Sequence, residues 1–138
     1  MARVLVAASP EPGTVVERIL AGHEFARAET IAQAEHLLRE QSFDLIICTI
    51  VFDGSKMFDL LQLAKSRPEW QRIPFVGARV RPTILLSPAA LRATAFTCGT
   101  LGADAFLDIT DYAADPERQM RGAIGRIMDA GSRSGTRR

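Results

Sequence analysis

Three polar side chains, Ser9, Thr49 and Arg79, stand where apolar runs of the chain end. Arginine binds phosphate and other small anions through its planar fork of donors, and hydroxyl groups add hydrogen bonds to the same anion. A threonine hydroxyl is a poor nucleophile without an adjacent base, and no pair of carboxylates with acid/base spacing accompanies these residues. The pattern therefore favours binding over catalysis, and we do not expect an enzyme.

The cysteines and histidines give no indication of a metal or cofactor site. Cys48 and Cys98 are far apart and outside any CxxC motif, and Cys48 belongs to an apolar run that makes it a small core residue. His23 and His36 are distant from each other and from acidic clusters, so surface positions are expected. We predict neither a metal nor a cofactor.

The composition is typical of one soluble globular domain. The 138 residues are 47% hydrophobic and 24% charged, which allows one buried core. A net charge of +1 gives no bulk electrostatic reason to expect nucleic-acid or membrane binding. We see no signal peptide and no apolar run of transmembrane length, so a cytoplasmic location is expected. Residues 131–138 are rich in Ser, Gly and Arg and predict a disordered basic tail after a domain of residues 1–130.

Short apolar runs alternate with amphipathic stretches along this domain. The alternation predicts βαβ units around a parallel sheet whose central strands are apolar on both faces. Capping residues before each amphipathic stretch predict where the helices begin. The predicted strands are residues 4–8, 24–28, 43–49, 73–78 and 105–109, and the predicted helix starts are Thr14, Thr30, Ser55 or a neighbour, Ser87, and Asp115 with Pro116.

Strings of residues in this order resemble the response-regulator receiver domain of two-component signalling. The apolar run 43–49, with the loop and helix start that follow it, is similar to the third strand of that family. Residues 73–76 are similar to its fourth strand, and residues 101–107 resemble its Gly-Ala-Asp turn into strand five. The resemblance implies a flavodoxin-like, doubly wound (βα)5 three-layer α/β sandwich with a parallel sheet in the order 2-1-3-4-5. It also implies a site at the carboxyl ends of the strands.

The positions that carry the family's phosphoryl chemistry hold other residue types in this chain. That chemistry needs carboxylates to bind magnesium, and it needs a metal and a lysine to neutralise charge. Thr49 stands where the family has its phosphoacceptor aspartate, and a threonine cannot form an acyl phosphate. By the resemblance, the acidic pair falls on Ala8 and Ser9, the phosphoacceptor on Thr49, the hydroxyl residue that ends strand four on Arg79, the aromatic switch on Phe106, the lysine on Ile109 and the proline after it on Thr110. These residues predict a degenerate phosphoacceptor pocket, which defines a pseudo-receiver.

Two charged residues leave alternatives open. Asp53 follows Thr49 by four residues, and it is either a displaced phosphoacceptor or a loop carboxylate that caps a helix. Arg79 either binds a small anion together with Thr49 or turns to solvent or to a nearby carboxylate.

An apolar segment made of Thr83, Ile84, Leu85 and Leu86 precedes the helix that begins at Ser87 and carries Leu91, Ala95 and Phe96. This part of the chain is longer than is usual in the family. Exposed apolar patches commonly mark protein interfaces, and receiver domains often dimerise or bind partners through the neighbouring face. The alternative is that the segment folds back over the vacant pocket or extends the core.

The sequence leads to one functional interpretation and one alternative. We predict an atypical receiver domain of two-component, phosphorelay signal transduction that acts by protein–protein interaction without phosphorylation. Its partner would be a signalling protein or a second copy of the chain, with no role for nucleic acid or membrane. The alternative is a sensor of a small anion or nucleotide that uses Ser9, Thr49 and Arg79 at the strand ends, where open α/β sheets bind ligands.

Overall fold

Five parallel strands form one sheet in the order β2-β1-β3-β4-β5, as predicted. The computed structural model describes residues 2–81 and 86–136, with side chains up to residue 131. The strands are β1 (Arg3–Ala7), β2 (Glu24–Ala28), β3 (Leu45–Thr49), β4 (Phe75–Arg79) and β5 (Ala105–Asp108), and the main helices are α1 (Pro10–Ile19), α2 (Ile31–Glu40), α3 (Met57–Ser66), α4 (Pro88–Thr100) and α5 (Pro116–Thr136). The flavodoxin-like α/β fold is thereby confirmed; β2 has the predicted bounds, and the ends of the other strands differ from the predicted ones by at most two residues.

The sheet is covered on both faces because its central strands are apolar at nearly every position. All residues of β3 and β4 are buried. Their side chains alternate between two core clusters, so Ile46 and Cys48 pack with α2, α3 and α4, whereas Leu45 and Ile47 pack with α1 and α5. The carboxyl ends of the strands consequently meet at one edge between two layers of helices, where the candidate site lies.

Two of the predicted helix caps are present and a third is not. The hydroxyl oxygens of Thr30 and Ser87 each accept a hydrogen bond from a backbone N–H three residues further on, at the starts of α2 and α4. Thr14 was expected to cap α1, but it lies inside that helix and its hydroxyl donates to the Pro10 carbonyl. Proline at the first helical position fixes a helical φ, so α1 begins directly after Ser9.

The connection between β3 and α3 has an unusual backbone. A short helical segment, Phe52–Ser55, precedes α3, which begins at Met57, after the predicted start at Ser55. Within it Asp53, Gly54 and Ser55 have φ angles of 48°, 68° and 71°, in the left-handed region. Non-glycine residues seldom occupy this region, so the turn is held by its surroundings.

The last helix extends beyond the predicted domain boundary at residue 130. The backbone of residues 131–136 is helical, and residues 137–138 lie outside the described part of the chain. A Cβ atom on Gly131 would lie 2.7 Å from Pro74 Cγ, so glycine allows the helix to pass close to the residue before β4. In the described ranges, no helix combines the length and apolarity that a membrane span requires.

Candidate functional site at the carboxyl edge of the sheet

The predicted pocket residues lie together at the carboxyl edge of the sheet, and most of them are enclosed. Ala8 directly follows β1, Thr49 ends β3, Arg79 ends β4 and Ile109 directly follows β5. These four residues are buried, whereas Ser9 is only partly covered. The edge is therefore a closed, mainly apolar region, and within the described residues no group of histidine, cysteine or carboxylate side chains could hold a metal ion.

Among the buried residues that the structure describes, Arg79 and Asp108 are the only charged ones, and both lie at this edge. The two residues end β4 and β5 and are register partners. Arg79 Nη1 donates to Asp108 Oδ2 at 3.0 Å, and both side chains are 8% exposed. The second carboxylate oxygen, Asp108 Oδ1, accepts hydrogen bonds from the backbone N–H and the hydroxyl of Thr110. The carboxylate is thus satisfied on both oxygens, and it compensates the guanidinium charge.

Arg79 is therefore engaged by a carboxylate, which was one of its two predicted roles. A small anion at Arg79 would have to displace Asp108 from a buried, charge-assisted hydrogen bond. Thr49 is also poorly placed to share such an anion, because the two side chains lie on opposite faces of the sheet. The register partner of Thr49 is Ala78, which packs in the core cluster beside α1 and α5. Arg79 is the next residue of β4, so its side chain lies on the other face. This geometry does not support the anion or nucleotide sensor.

The Thr49 hydroxyl is enclosed without a hydrogen bond. Thr49 is 1% exposed, and its Oγ1 atom has no hydrogen-bond partner in the described part of the chain. Leaving a buried hydroxyl unpaired costs free energy, about 1–3 kcal/mol. Ala8 and Ile109, both apolar, are buried at the same edge.

The chain that leaves β4 crosses towards α1. Val80 is buried, and the Arg81 guanidinium forms an ion pair with Glu11 in the first turn of α1. Arg81 thus pairs with a carboxylate, as Arg79 does. Of the predicted interface, Thr83, Ile84 and Leu85 lie outside the described residues, and Leu86 is half-buried.

Phe106, the predicted aromatic switch residue, packs below the ion pair. It is the register partner of Gly77 in β4, and a Cβ atom on that glycine would lie 2.9 Å from Phe106 Cδ1. The same Cβ would come within 3.0 Å of Met57 Sδ and 3.2 Å of Cys98 Sγ. Glycine is needed here because α3, α4 and the Phe106 ring all approach the strand closely. A larger residue would push the aromatic ring outward.

Asp53 has the local role that one alternative predicted. Its Oδ2 atom accepts a hydrogen bond from Ile31 N in the first turn of α2 and lies 3.9 Å from Lys56 Nζ. A carboxylate is favourable there because the first N–H groups of a helix have no partner within it. Asp53 makes this contact from a left-handed backbone conformation, with a φ angle of 48°.

The two thiols are part of the core. Burial raises the pKa of Cys98 to about 11, and burial together with the neighbouring Cys98 raises the pKa of Cys48 as well. Since the thiolate is the reactive form, we expect a disulfide-exchange reagent at about pH 8 to modify Cys98 at least about a hundredfold more slowly in the folded protein than in denaturant. Rapid modification of either cysteine without unfolding would contradict this assignment. The absorbance of the released reagent anion gives the rate.

Comparison with solved structures places this architecture among known folds. The receiver domain of a signal transduction histidine kinase from Syntrophus aciditrophicus aligns with a TM-score of 0.70 and 20% identity, over 94% of this chain and 92% of that one. The chemotaxis response regulator CheY4 of Vibrio cholerae aligns with a TM-score of 0.69 and 21% identity, over 92% and 98%. The chain has the receiver-domain fold. A candidate response regulator of Chloroflexus aurantiacus is also similar, with a TM-score of 0.74, 16% identity and coverage of 93% and 98%. No protein-family model and no curated protein matches the sequence.

Sequence reasoning missed the role of Asp108. This residue was not among the predicted site residues, but it is the partner of Arg79 in the candidate site. The signal that was available is the strand register: opposite charges that end two neighbouring parallel strands face each other when the ends are level. The predicted strand four ended at residue 78 and the predicted strand five at residue 109, which concealed the match.

Proposed function

We propose that this protein is an atypical receiver domain of two-component signal transduction that acts by protein–protein contact without phosphorylation. The observation that carries the proposal is the buried Arg79–Asp108 pair, which fills the edge where receiver domains carry out their phosphoryl chemistry. Apolar Ala8 and Ile109 and the neutral Thr49 complete that edge. A site of this kind offers neither magnesium ligands nor a phosphoacceptor carboxylate.

The candidate contact surface is the outer face of α4. Two large apolar side chains are exposed in the described part of the chain, Phe96 at 76% and Phe25 at 40%. By their spacing, the exposed residues on the same side of the helix as Phe96 include Ala89, Arg92, Ala93 and Thr100. The inner side instead carries the buried Cys98 beside Gly77. An exposed aromatic residue beside an arginine is typical of interfaces, where both residue types are enriched.

A Phe96→Ser variant tests this surface. We expect the unmodified chain to self-associate as its concentration rises, and we expect Phe96→Ser to weaken that association by at least about tenfold because an anchoring aromatic is lost. Addition of acetyl phosphate and magnesium is expected to leave the association of the unmodified chain and of Phe96→Ser unchanged. Sedimentation velocity over a concentration series measures the association of both proteins, with and without the phosphodonor.

Phe25 supplies the matched control. It is 40% exposed and lies in β2, the edge strand at the other end of the sheet. Phe25→Ser should leave the association unchanged. The proposal would be wrong if the chain stayed monomeric throughout the series, if it associated only after addition of the phosphodonor, or if both serine variants behaved alike.

A further inference from the structure

The last helix, α5, carries a surplus of positive charge that the balance of the whole chain conceals. Residues 116–138 contain six arginines and two carboxylates, a net charge of +4, which leaves −3 on the rest of a chain whose total is +1. Every cation in this segment is an arginine, and the planar fork of a guanidinium group pairs with phosphate oxygens through two parallel hydrogen bonds. The proposed function makes no use of α5.

The apolar side of α5 is already used by the core. Its large apolar side chains pack in the core cluster that also contains residues of α1, and they are Met120, Ile124, Ile127 and Met128. Over the described side chains, the outer side of the helix has polar and small residues but no apolar anchor. Protein interfaces have an apolar core and membrane-surface helices need a free apolar face, whereas protein–DNA interfaces are polar and strongly positive. These features favour a nucleic acid over a protein or a membrane.

Three arginines of α5 keep a charge that no described carboxylate offsets. Arg118 and Arg126 are exposed, and among the described residues neither has an ion-pair partner. Arg121 donates to the carbonyl oxygens of Ile19 and Arg18 at 2.7 and 3.4 Å, in the last turn of α1. These neutral acceptors orient the guanidinium group of Arg121 and leave its charge in place.

A cavity of about 340 Å³ between α1 and α5 brings two of these arginines together. Its lining has three guanidinium groups, from Arg18, Arg118 and Arg121, and one carboxylate, from Glu117. That carboxylate is paired with Arg18. Arg121 uses two of its five N–H donors on α1, so its other donors and those of Arg118 can hold one phosphate group at the cavity.

The unpaired charges are spread over the length of several phosphate groups. Arg118 and Arg126 are eight residues apart on one side of α5, about 12 Å along its axis. A Cβ atom on Gly122, midway between them, would lie 3.5 Å from Arg126 Nη1, so the side chain of Arg126 lies along the glycine surface. Each strand of a duplex carries one phosphate per about 3.4 Å of axis. A row of charges of this length fits a linear polyanion better than a single small anion.

The helix also continues past the sheet. Gly131 packs on Pro74, the residue before β4, and the backbone of residues 132–136 extends the helix beyond that point. The sequence places Arg133 in this extension. The positive charge of α5 therefore does not end where the domain core ends.

We propose that the outer side of α5 binds the phosphate backbone of double-stranded nucleic acid without reading its sequence. Arg118 and Arg121 hold one phosphate group at the cavity beside α1, and Arg126 pairs with a second one further along the strand. Contacts to phosphate groups carry no sequence information, so duplexes of unrelated sequence bind alike.

Fluorescence anisotropy of a labelled DNA duplex of about 20 base pairs, titrated with the full chain, tests this binding. At about 50 mM salt we expect saturable binding with a dissociation constant of about 10–100 μM, in the range of non-specific complexes. The logarithm of the binding constant should fall with the logarithm of the salt concentration with a slope of about −3, because three arginines replace counterions. A second duplex of unrelated sequence should give the same values.

Variants separate α5 from general surface attraction. Arg118→Gln with Arg126→Gln should weaken duplex binding by at least about tenfold and make the salt slope shallower by about two. Arg39→Gln with Arg72→Gln removes the same charge from exposed arginines outside α5 and should change the affinity by less than about twofold.

A poly-glutamate peptide with the same number of charges as the duplex serves as the competitor. It should displace the labelled duplex far less well than unlabelled duplex does, because a flexible carboxylate chain lacks the fixed phosphate spacing. The inference would be overturned by an unchanged anisotropy at low salt, by equal losses in the two double variants, or by equal competition from poly-glutamate, which would identify an acidic protein segment as the partner.

Discussion

Replacing Asp108 with alanine is expected to lower the free energy of unfolding by about 3–5 kcal/mol, because it leaves the buried Arg79 guanidinium without its carboxylate. Asp108→Asn should be less harmful, since the amide oxygen still accepts from Arg79 while the charge compensation is lost. Urea unfolding followed by circular dichroism measures both values. Preserved slopes would show that the transition remains two-state.

The double variant Arg79→Met with Asp108→Leu distinguishes an uncompensated charge from lost packing. Replacing both members of a buried pair by apolar residues is often neutral or stabilising, so this variant should recover most of the stability that Asp108→Ala loses. The exposed pair Arg3–Glu24 is the matched control, and Glu24→Ala should cost less than about 1 kcal/mol. A loss below about 1 kcal/mol for Asp108→Ala would mean that the pair does not hold the edge together.

Apolar patterning was sufficient to predict the architecture but not this pair. A strand buried on both faces is visible in the sequence of β3 because every residue of it is apolar or small. Ion pairing between Arg79 and Asp108 depends instead on how two strands line up in register. A displacement by one residue turns each side chain to the other face, so a strand-end error of one residue is enough to lose the contact.

The outer face of α4 could not be predicted for a related reason. The helix has apolar residues all round, so the sequence alone does not say which side is buried. The contact between Cys98 and Gly77 settles the orientation, and it turns Phe96, two residues earlier, to the opposite side.

Restoring the missing carboxylate alone, with Thr49→Asp, is expected to destabilise the fold by about 2–4 kcal/mol at neutral pH without restoring phosphorylation. The new carboxylate would be buried beside neutral residues, and the guanidinium of Arg79, the buried cation of this edge among the described residues, is held by Asp108. Burial raises the pKa of such a carboxyl group above its unfolded value. Its penalty should therefore be smallest below about pH 3, where the group is protonated in both states, and should grow as the pH rises past the unfolded pKa of about 3.9.

Thr49→Val provides the matched substitution, since it keeps the shape of the side chain and removes the unpaired hydroxyl. We expect it to leave stability unchanged or to raise it by about 1 kcal/mol, in contrast to Thr49→Asp. Intact-mass measurement after incubation with acetyl phosphate and magnesium should show no phosphoryl group on either variant or on the unmodified chain. Phosphorylation of Thr49→Asp in good yield would contradict this prediction, because it would require a positive charge to neutralise the phosphoryl group. Arg79 would then have to leave Asp108 to provide that charge.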